Sequence, residues 1–246
     1  MTLISVILLA HNEAGTILQE IAALHDAVIS RLPERELIIA EDGSSDGTRA
    51  RIESVQEKYN LKIVGAAERL GYATAVRNAV AAANGDFIFL CDGGGKHDPA
   101  DFWKLYARRD DADLIAGLRT DRSDPGYRSW LTSALNLFVR HFFDVSGYDT
   151  DSGMRLYNRR VVNEVLTAPL HFRGFISTEI AVRALKRGLR YLEVPVSYRR
   201  GRTSRGLPLR TMPRAVLRLL ADSWALRREL ARLSDDTDQN QSPQRH

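Results

Sequence analysis

The sequence predicts an α/β fold in which a mostly parallel central sheet is flanked by helices. Short apolar runs alternate with segments of helical periodicity through the first half of the chain, which is typical of βα units. The run at 87–90 is continuously apolar, as in a strand buried on both faces of a parallel sheet. Several runs end in acidic or glycine-bearing loops, and parallel strands bring such loops to one edge of the sheet.

The first half of the chain supplies most of the predicted sheet. Apolar residues recur at helical spacing after the first run, at Ile17, Leu18, Ile21, Leu24 and Val28. On the same reasoning we predict strands at 3–10, 36–40, 61–66, 87–90 and 114–117. Helices are predicted between them at 14–30, 48–59, 74–83 and 102–108.

The pattern changes after residue 119. A helix at 129–143 is apolar nearly all round, which indicates that it is buried in the core or lies against an apolar surface. A helix at 177–187 and a strand at 191–196 follow, and then a basic loop. We predict one domain over 1–211, an amphipathic basic C-terminal helix over 212–233 and a disordered polar tail over 234–246.

Composition excludes several classes of protein. The single cysteine, Cys91, excludes an intramolecular disulfide and a cysteine-rich zinc site. The run at 3–10 is too short for a signal-peptide core, and no stretch approaches the roughly 20 apolar residues of a membrane span, so we expect a cytoplasmic protein. Arginines crowd the last quarter and favour phosphates or an anionic surface as partners. No nucleic-acid-binding module is recognisable, so we expect no nucleic-acid partner.

Asp92 stands at the predicted carboxyl end of the strand at 87–90, where open α/β sheets bind ligands. Three glycines at 93–95 follow and allow a sharp turn and a close approach of a ligand to the backbone. Asp98 and Pro99 then fit the N-cap and first turn of a helix. An acidic turn with glycines for geometry alone is the alternative interpretation.

Two common nucleotide-binding signatures are absent. The first βα loop has no G-x-G-x-x-G pattern, which argues against a dinucleotide-binding dehydrogenase, and the Walker signature of P-loop ATPases is missing. Acidic loops at 10–13, 41–48 and 92–94 instead offer carboxylates and backbone amides that can bind a nucleobase and a ribose.

Six motifs occur in a characteristic order between Ser5 and about Arg205. They are Ser5-Val-Ile-Leu-Leu-Ala-His-Asn-Glu13, Glu41-Asp-Gly-Ser-Ser-Asp-Gly-Thr48, Asp92 with His97-Asp98-Pro99, Asp149-x-x-Ser152-Gly153-x-Arg155, Glu179, and Glu193-Val-Pro195. Together they resemble the family-2 glycosyltransferases, most nearly the dolichyl- and polyprenyl-phosphate sugar synthases. The resemblance implies a nucleotide-sugar-binding domain of the GT-A type. It also implies inverting transfer of a hexosyl or N-acetylhexosaminyl group from a UDP- or GDP-sugar to a polyprenyl or dolichyl phosphate.

The resemblance also implies roles by position. The nucleoside site would be formed by Ala10, Asn12, Glu13, Glu41 and Asp42. Asp92 would lie beside the diphosphate as the first acid of a D-x-D motif and would hold Mg²⁺ or Mn²⁺. The phosphates of donor or acceptor would meet Arg155, Arg202 and Arg205, and the acceptor would meet Arg119, Arg128 and Asn136. Solvated surface charge is the alternative for each arginine, and a packed helix face is the alternative for Asn136.

The chain departs from the family pattern at the metal motif. Gly94 replaces the second acid and Lys96 replaces a polar residue that is often glutamine, so we expect a weakened metal site in which Lys96 partly replaces the cation. A hydroxyl acceptor would need a general base, for which Asp149 and Asp151 are candidates, with loop capping as their alternative role.

Three functions are compatible with these features. The first is transfer to polyprenyl phosphate, with the C-terminal helix making peripheral contact with a membrane. The second is a soluble glycosyltransferase that acts on a small hydroxylic acceptor in natural-product biosynthesis. The third is a nucleotide-sugar-binding protein that has lost transfer activity.

Overall fold

The computed structural model describes residues 2–119, 126–146, 152–172, 175–198 and 212–241. In these residues seven strands form one sheet in the order β3-β2-β1-β4-β6-β5-β7. The strands are β1 Ile4–Ala10, β2 Arg35–Glu41, β3 Leu61–Val64, β4 Phe87–Asp92, β5 Leu114–Arg119, β6 Met154–Asn158 and β7 Tyr191–Val196. All pairings are parallel except those of β6 with β4 and β5, which confirms the predicted α/β fold with a mostly parallel sheet.

Helices flank both faces of the sheet. They are α1 Ile17–Ala27, α2 Thr48–Glu53, α3 Gln56–Tyr59, α4 Tyr72–Ala81, α5 Phe102–Tyr106, α6 Gly126–Phe143, α7 Arg159–Val161, α8 Ile176–Lys186 and α9 Met212–Gln241. The single helix predicted at 48–59 is two helices, because the Ser54 hydroxyl donates to the Arg51 carbonyl at 2.7 Å and Val55 leaves helical geometry. The last helix continues through Gln241, beyond the predicted end at 233.

Strand β6 was not predicted from the sequence. It is inserted between β4 and β5, and Arg155 pairs with Leu90 on one side and Ala116 on the other. The Arg155 side chain is only 1% exposed. An arginine in a central strand runs against the usual composition of such strands, which is why the pattern did not indicate one.

Apolar side chains form a core on each face of the sheet and a third cluster away from it. The first core packs α1 and α5 on one face, and the second packs α4 and α8 on the other. The third cluster joins α6, α8 and α9 through Val139, Phe143, Val182 and Leu226. The predicted apolar helix around 129–143 is therefore packed on one side by the final helix.

The sheet has a topological switch point between β1 and β4. The chain leaves β1 towards β2 and β3 on one side and returns as β4 on the other, with Leu9 opposite Asp92. The loops after β1 and β4 therefore diverge and leave a crevice at their carboxyl ends, the usual ligand site of open α/β sheets.

Candidate functional site

Asp92 occupies the crevice at the switch point. Its Oδ1 accepts a hydrogen bond from the Tyr72 hydroxyl at 2.9 Å, and its backbone N–H donates to the Gly153 carbonyl at 2.9 Å. A Cβ atom at Gly153 would clash with Asp92 Oδ2, so only glycine lets the residue just before β6 approach this carboxylate so closely. The carboxylate is thus held on two sides and still borders open space.

Burial keeps Tyr72 protonated and able to donate. Burial raises the pKa of the Tyr72 hydroxyl well above its usual value, and the neighbouring Asp92 carboxylate raises it further. On the same face of the sheet, Arg155 lies beneath the site and hydrogen-bonds Tyr157. This buried cation adds positive potential behind the crevice without being exposed in it.

The loop after Asp92 has a backbone that favours glycine. Gly94 and Gly95 have φ angles of 86° and 63°, in the left-handed region. The Gly94 N–H donates to Glu20 Oε2 at 2.9 Å, which ties the loop to α1. The Asp98 carboxylate accepts from the Ala100 N–H at 3.0 Å, which confirms the predicted N-cap.

A first cavity of about 180 Å³ opens on the β1–β2 side of Asp92. It is lined by Leu9, Ala10, His11, Glu13, Ala40, Asp42, Arg69, Tyr72, Ala75, Asp92, Gly93 and Lys96. Asp42 Oδ1 accepts hydrogen bonds from the Leu70 and Gly71 N–H groups at 2.8 and 2.9 Å, so this carboxylate fixes the loop before α4. The cavity combines an apolar floor with polar groups at its edge, a usual arrangement for binding a small molecule.

Asn12 and Glu41 shape the loops around this cavity. Asn12 has a left-handed φ of 56°, and its Oδ1 accepts the Ser45 N–H at 2.9 Å. Glu41 is buried, and its Oε1 accepts the Ser44 N–H at 2.6 Å while Oε2 lies 3.5 Å from Arg49 Nη1. The contact of both residues with a nucleoside stays a prediction, but their loop-forming role is evident.

A second cavity, of about 230 Å³, lies on the other side of Asp92. Its lining consists of Tyr72, Asp92, Lys96, His97, Arg119, Gly153, Ser177 and Tyr198. The Arg119 guanidinium lies 5.3 Å from the centre of the Tyr198 ring. Burial lowers the pKa of His97, so its ring is neutral near neutral pH.

The two cavities meet at three shared side chains, Tyr72, Asp92 and Lys96. A ligand that fills both cavities would therefore contact a hydroxyl, a carboxylate and an ammonium group where the cavities join.

The family model described as "Glycosyl transferase family 2" matches residues 5–166, which include β2 to β6, nearly all of β1 and the loops after β1 and β4. The chain belongs to glycosyl transferase family 2. The family predicted from the loop motifs is thereby confirmed, and the protein is a glycosyltransferase.

Similar proteins include two bacterial transferases. The chain is 25% identical over 210 residues to the polyprenol monophosphomannose synthase of Mycolicibacterium smegmatis, covering 78% of this chain and 76% of that protein. It is 22% identical over 167 residues to the undecaprenyl-phosphate 4-deoxy-4-formamido-L-arabinose transferase of Pseudomonas aeruginosa, covering 67% of this chain but only 49% of that protein.

Solved structures confirm the GT-A-like fold of the glycosyltransferase. Glucosyl-3-phosphoglycerate synthase from Mycobacterium tuberculosis, in complex with Mn²⁺ and UDP-glucose, has a TM-score of 0.69 at 21% identity. The match covers 92% of this chain and 79% of that one. The same enzyme with Mn²⁺, UDP and glucosyl-3-phosphoglycerate gives a TM-score of 0.67.

The residues of the glycosyltransferase do not fit a divalent cation at the D-x-D position. Asp92 is the one carboxylate among the described residues that lines both cavities, Gly94 contributes no side chain, and Lys96 places a positive charge beside them. Among the described residues, no group of three or more His, Cys, Asp or Glu side chains is placed to hold a metal ion. A hard cation prefers several oxygen ligands, whereas Asp92 is the one carboxylate common to the two described linings, and the Glu20 carboxylate on this loop already accepts the Gly94 N–H.

The structure brings together part of the predicted set. Ala10, Glu13, Asp42, Asp92 and Lys96 line the first cavity, and Arg119 lines the second. Asn136 is buried in α6, and Arg128 lies in the same helix. Asp149, Asp151, Arg202 and Arg205 lie outside the described residues.

Several site residues were missed in the sequence. Tyr72 directly follows the loop after β3, so the rule that loops at one edge of the sheet gather together would have found it. Glu20 gave no signal, because an acidic residue in the first turn of a helix is ordinary. Ser177 and Tyr198 line the second cavity from α8 and from the segment after β7. The sequence did not show that these two segments lie beside Asp92.

Proposed function

We propose that this glycosyltransferase moves a sugar from a UDP- or GDP-sugar to a polyprenyl phosphate. The observation that carries the proposal is the junction of two cavities at Tyr72, Asp92 and Lys96. A nucleoside in the first cavity and a sugar in the second would place the diphosphate at this junction. The names of the two similar transferases support a polyprenyl phosphate acceptor, and UDP in the similar solved structures supports a nucleotide donor.

The proposed reaction is one in-line displacement with inversion. An acceptor oxygen forms a bond to the anomeric carbon as the bond from that carbon to the diphosphate oxygen breaks. The electron pair of the broken bond leaves on the nucleoside diphosphate. A phosphate acceptor attacks through an oxygen that is already anionic, so no general base is required. The developing negative charge must be met by fixed positive groups.

Arg119 is the described cation best placed for the acceptor. It lines the second cavity, which is the proposed place of the sugar, and its guanidinium packs against Tyr198. A guanidinium suits a phosphate because it offers several N–H donors in one plane. Arg155 is buried behind Asp92, where it hydrogen-bonds Tyr157 and adds positive electrostatic potential to the site. Direct phosphate contact by Arg155, Arg202 or Arg205 stays a prediction.

A panel of donors tests the proposal. We expect UDP-, GDP- and TDP-sugars to differ in how far they raise the melting temperature, because a ligand that binds only the folded state stabilises it. The best donor is then incubated with polyprenyl phosphate and with small hydroxylic acceptors. Release of nucleoside diphosphate that depends on polyprenyl phosphate supports the proposal. Release that depends only on a hydroxylic acceptor contradicts the proposed acceptor, and binding without release indicates that transfer has been lost.

The acceptor proposal requires contact with a membrane, and α9 offers a surface for it. Its packed face buries Ser223 and Leu226, while large apolar side chains on its other side are exposed, with Leu217 at 67% and Trp224 at 55%. Val216 and Leu220 are also exposed on this helix. Within the described part of the chain, no helix is long and apolar enough to cross a membrane.

Exposed arginines accompany these apolar side chains and favour an anionic lipid surface. They are Arg214, Arg218, Arg227 and Arg228. An amphipathic helix with apolar residues beside basic ones binds at the interface of a bilayer, and each basic residue adds attraction to anionic headgroups.

Liposome flotation tests this surface. We expect the chain to float with vesicles containing phosphatidylglycerol and to float less with purely zwitterionic vesicles. Leu217→Glu with Trp224→Glu should abolish flotation, because two charges would have to enter the boundary between the headgroups and the acyl chains. Ala225→Glu, an exposed change on the same helix outside the apolar surface, serves as the control and should retain most of the binding. Equal flotation of the double variant and the control would contradict the proposal.

A further inference from the structure

Lys96 lies where the proposed donor carries its charge. Within the described part of the chain, it is the one cation that lines both cavities. A nucleoside diphosphate brings at least two negative charges to this junction. The Asp92 carboxylate adds a further negative charge at this junction, so a cation is needed to balance the diphosphate.

We infer that the Lys96 ammonium takes the place of a divalent cation, so that the glycosyltransferase binds its nucleoside diphosphate and transfers from it without a metal. This inference rests on the proposed function, and it assigns the group that balances the negative charge of the donor diphosphate in the same site. Lys96 is a direct donor of hydrogen bonds to diphosphate oxygens in this arrangement.

The conformation of the loop supports this assignment. Gly94 occupies the position of the second acid, and its φ of 86° lies in the left-handed region, which favours glycine. Its N–H is already bound by Glu20. The loop conformation therefore suits glycine at this position, with the backbone N–H of Gly94 used to hold the loop against α1.

Glu20 holds the segment that carries Lys96. The Glu20 carboxylate lies against three consecutive glycines, contacting the Gly94 N–H and lying 4.0 Å from where a Cβ of Gly95 would be. Three glycines alone would leave the lysine poorly positioned, because glycine loses most conformational freedom on ordering. An anchored loop makes the position of Lys96 less costly to fix when a ligand binds.

The side-chain charges around the second cavity also favour binding of an anionic group without a metal. Of the residues that the structure describes, two cationic side chains, Lys96 and Arg119, and one carboxylate, Asp92, line this cavity, and His97 is neutral near neutral pH. Arg155 adds a third cation behind the sheet. These cationic side chains would stabilise the negative charge that develops on the leaving diphosphate.

Calorimetric titration of the full chain with UDP and with GDP tests the inference without relying on turnover. Each nucleotide is titrated in excess EDTA and again with saturating Mg²⁺ or Mn²⁺. We expect the preferred nucleotide to bind with a Kd that changes by less than about threefold between the two conditions. Lys96→Met should weaken binding in EDTA by about thirtyfold or more, and Lys96→Arg should restore part of the affinity. Lys58→Met, an exposed lysine on α3, is the matched control and should bind normally.

The outcomes separate this inference from the proposed function. Binding that requires the metal, together with normal binding by Lys96→Met, would overturn the role of Lys96 and leave the nucleotide-sugar donor in place. Failure of wild-type protein to bind either nucleotide in any condition would overturn the inference and the proposed donors together.

Discussion

Replacing Asp92 by alanine is expected to reduce sugar transfer by about a hundredfold or more, the usual cost of losing one preorganised polar group at a reacting centre. Asp92 is at the midpoint of the two cavities, where its free oxygen can accept hydrogen bonds from donor hydroxyls. The fold should persist, because the Tyr72 hydroxyl that loses its partner borders a cavity that water can enter. Transfer rates with the preferred donor and melting temperatures measure the two effects.

Two further variants make this test specific. Asp92→Asn keeps the size and one acceptor oxygen, so a loss as large as that of alanine would assign the effect to the negative charge. Asp26→Asn, an exposed change near the end of α1, is the matched control and should transfer normally. Near-normal turnover of Asp92→Ala would show that the active site lies elsewhere.

The sequence sufficed for the part of the fold that follows simple periodicity. The parallel strands β1 to β5 are short apolar runs that end in polar loops, and both signals are local. The position of Asp92 in a crevice followed from the same logic, because the ends of parallel strands gather at one edge. The order of the motifs then predicted the family. Composition and periodicity alone could not have done so.

The rest depended on contacts between distant segments. Strand β6 has Arg155 as its second residue, which interrupts any apolar run, and only the sheet shows that this arginine is paired on both sides. Glu41 has the local signal of a ligand-binding acid, yet its buried carboxylate is bound to the Ser44 N–H of its own loop. Glu20 contacts Gly94 across 74 positions, and no local pattern predicts such a contact.

The buried ion network between α8 and α9 is a further feature that the sequence did not reveal. Arg183 and Glu179 are both fully buried and joined by a 2.8 Å bond, and the Arg183 guanidinium also binds both carboxylate oxygens of Glu229 on α9 at 2.6 and 3.0 Å. Glu179 was part of the family motif, and its position now indicates a structural role, because its other oxygen accepts the Phe172 N–H. Arg183 thereby couples the final helix to the domain.

Arg183→Met is expected to lower the free energy of unfolding by about 3–5 kcal/mol, because it leaves the buried Glu179 carboxylate without its cation. Urea unfolding followed by tryptophan fluorescence measures the change. Arg160→Met breaks an exposed ion pair with Glu164 at the same i,i+4 spacing, and it should leave stability essentially unchanged. A small effect of Arg183→Met would mean that water or a rearranged helix replaces the guanidinium.

The pH dependence distinguishes this network from simple packing. Hydrogen bonds from Arg183 lower the pKa of Glu229 from 4.5 to about 2 in the folded protein. A depressed carboxyl pKa contributes stability that is present above the unfolded value and is lost as the pH falls through the folded value. The difference in unfolding free energy between wild type and Arg183→Met should therefore narrow as the pH falls from about 4.5 towards about 2. A difference that stays constant over this range would assign the effect of Arg183 to its packing and not to its charge.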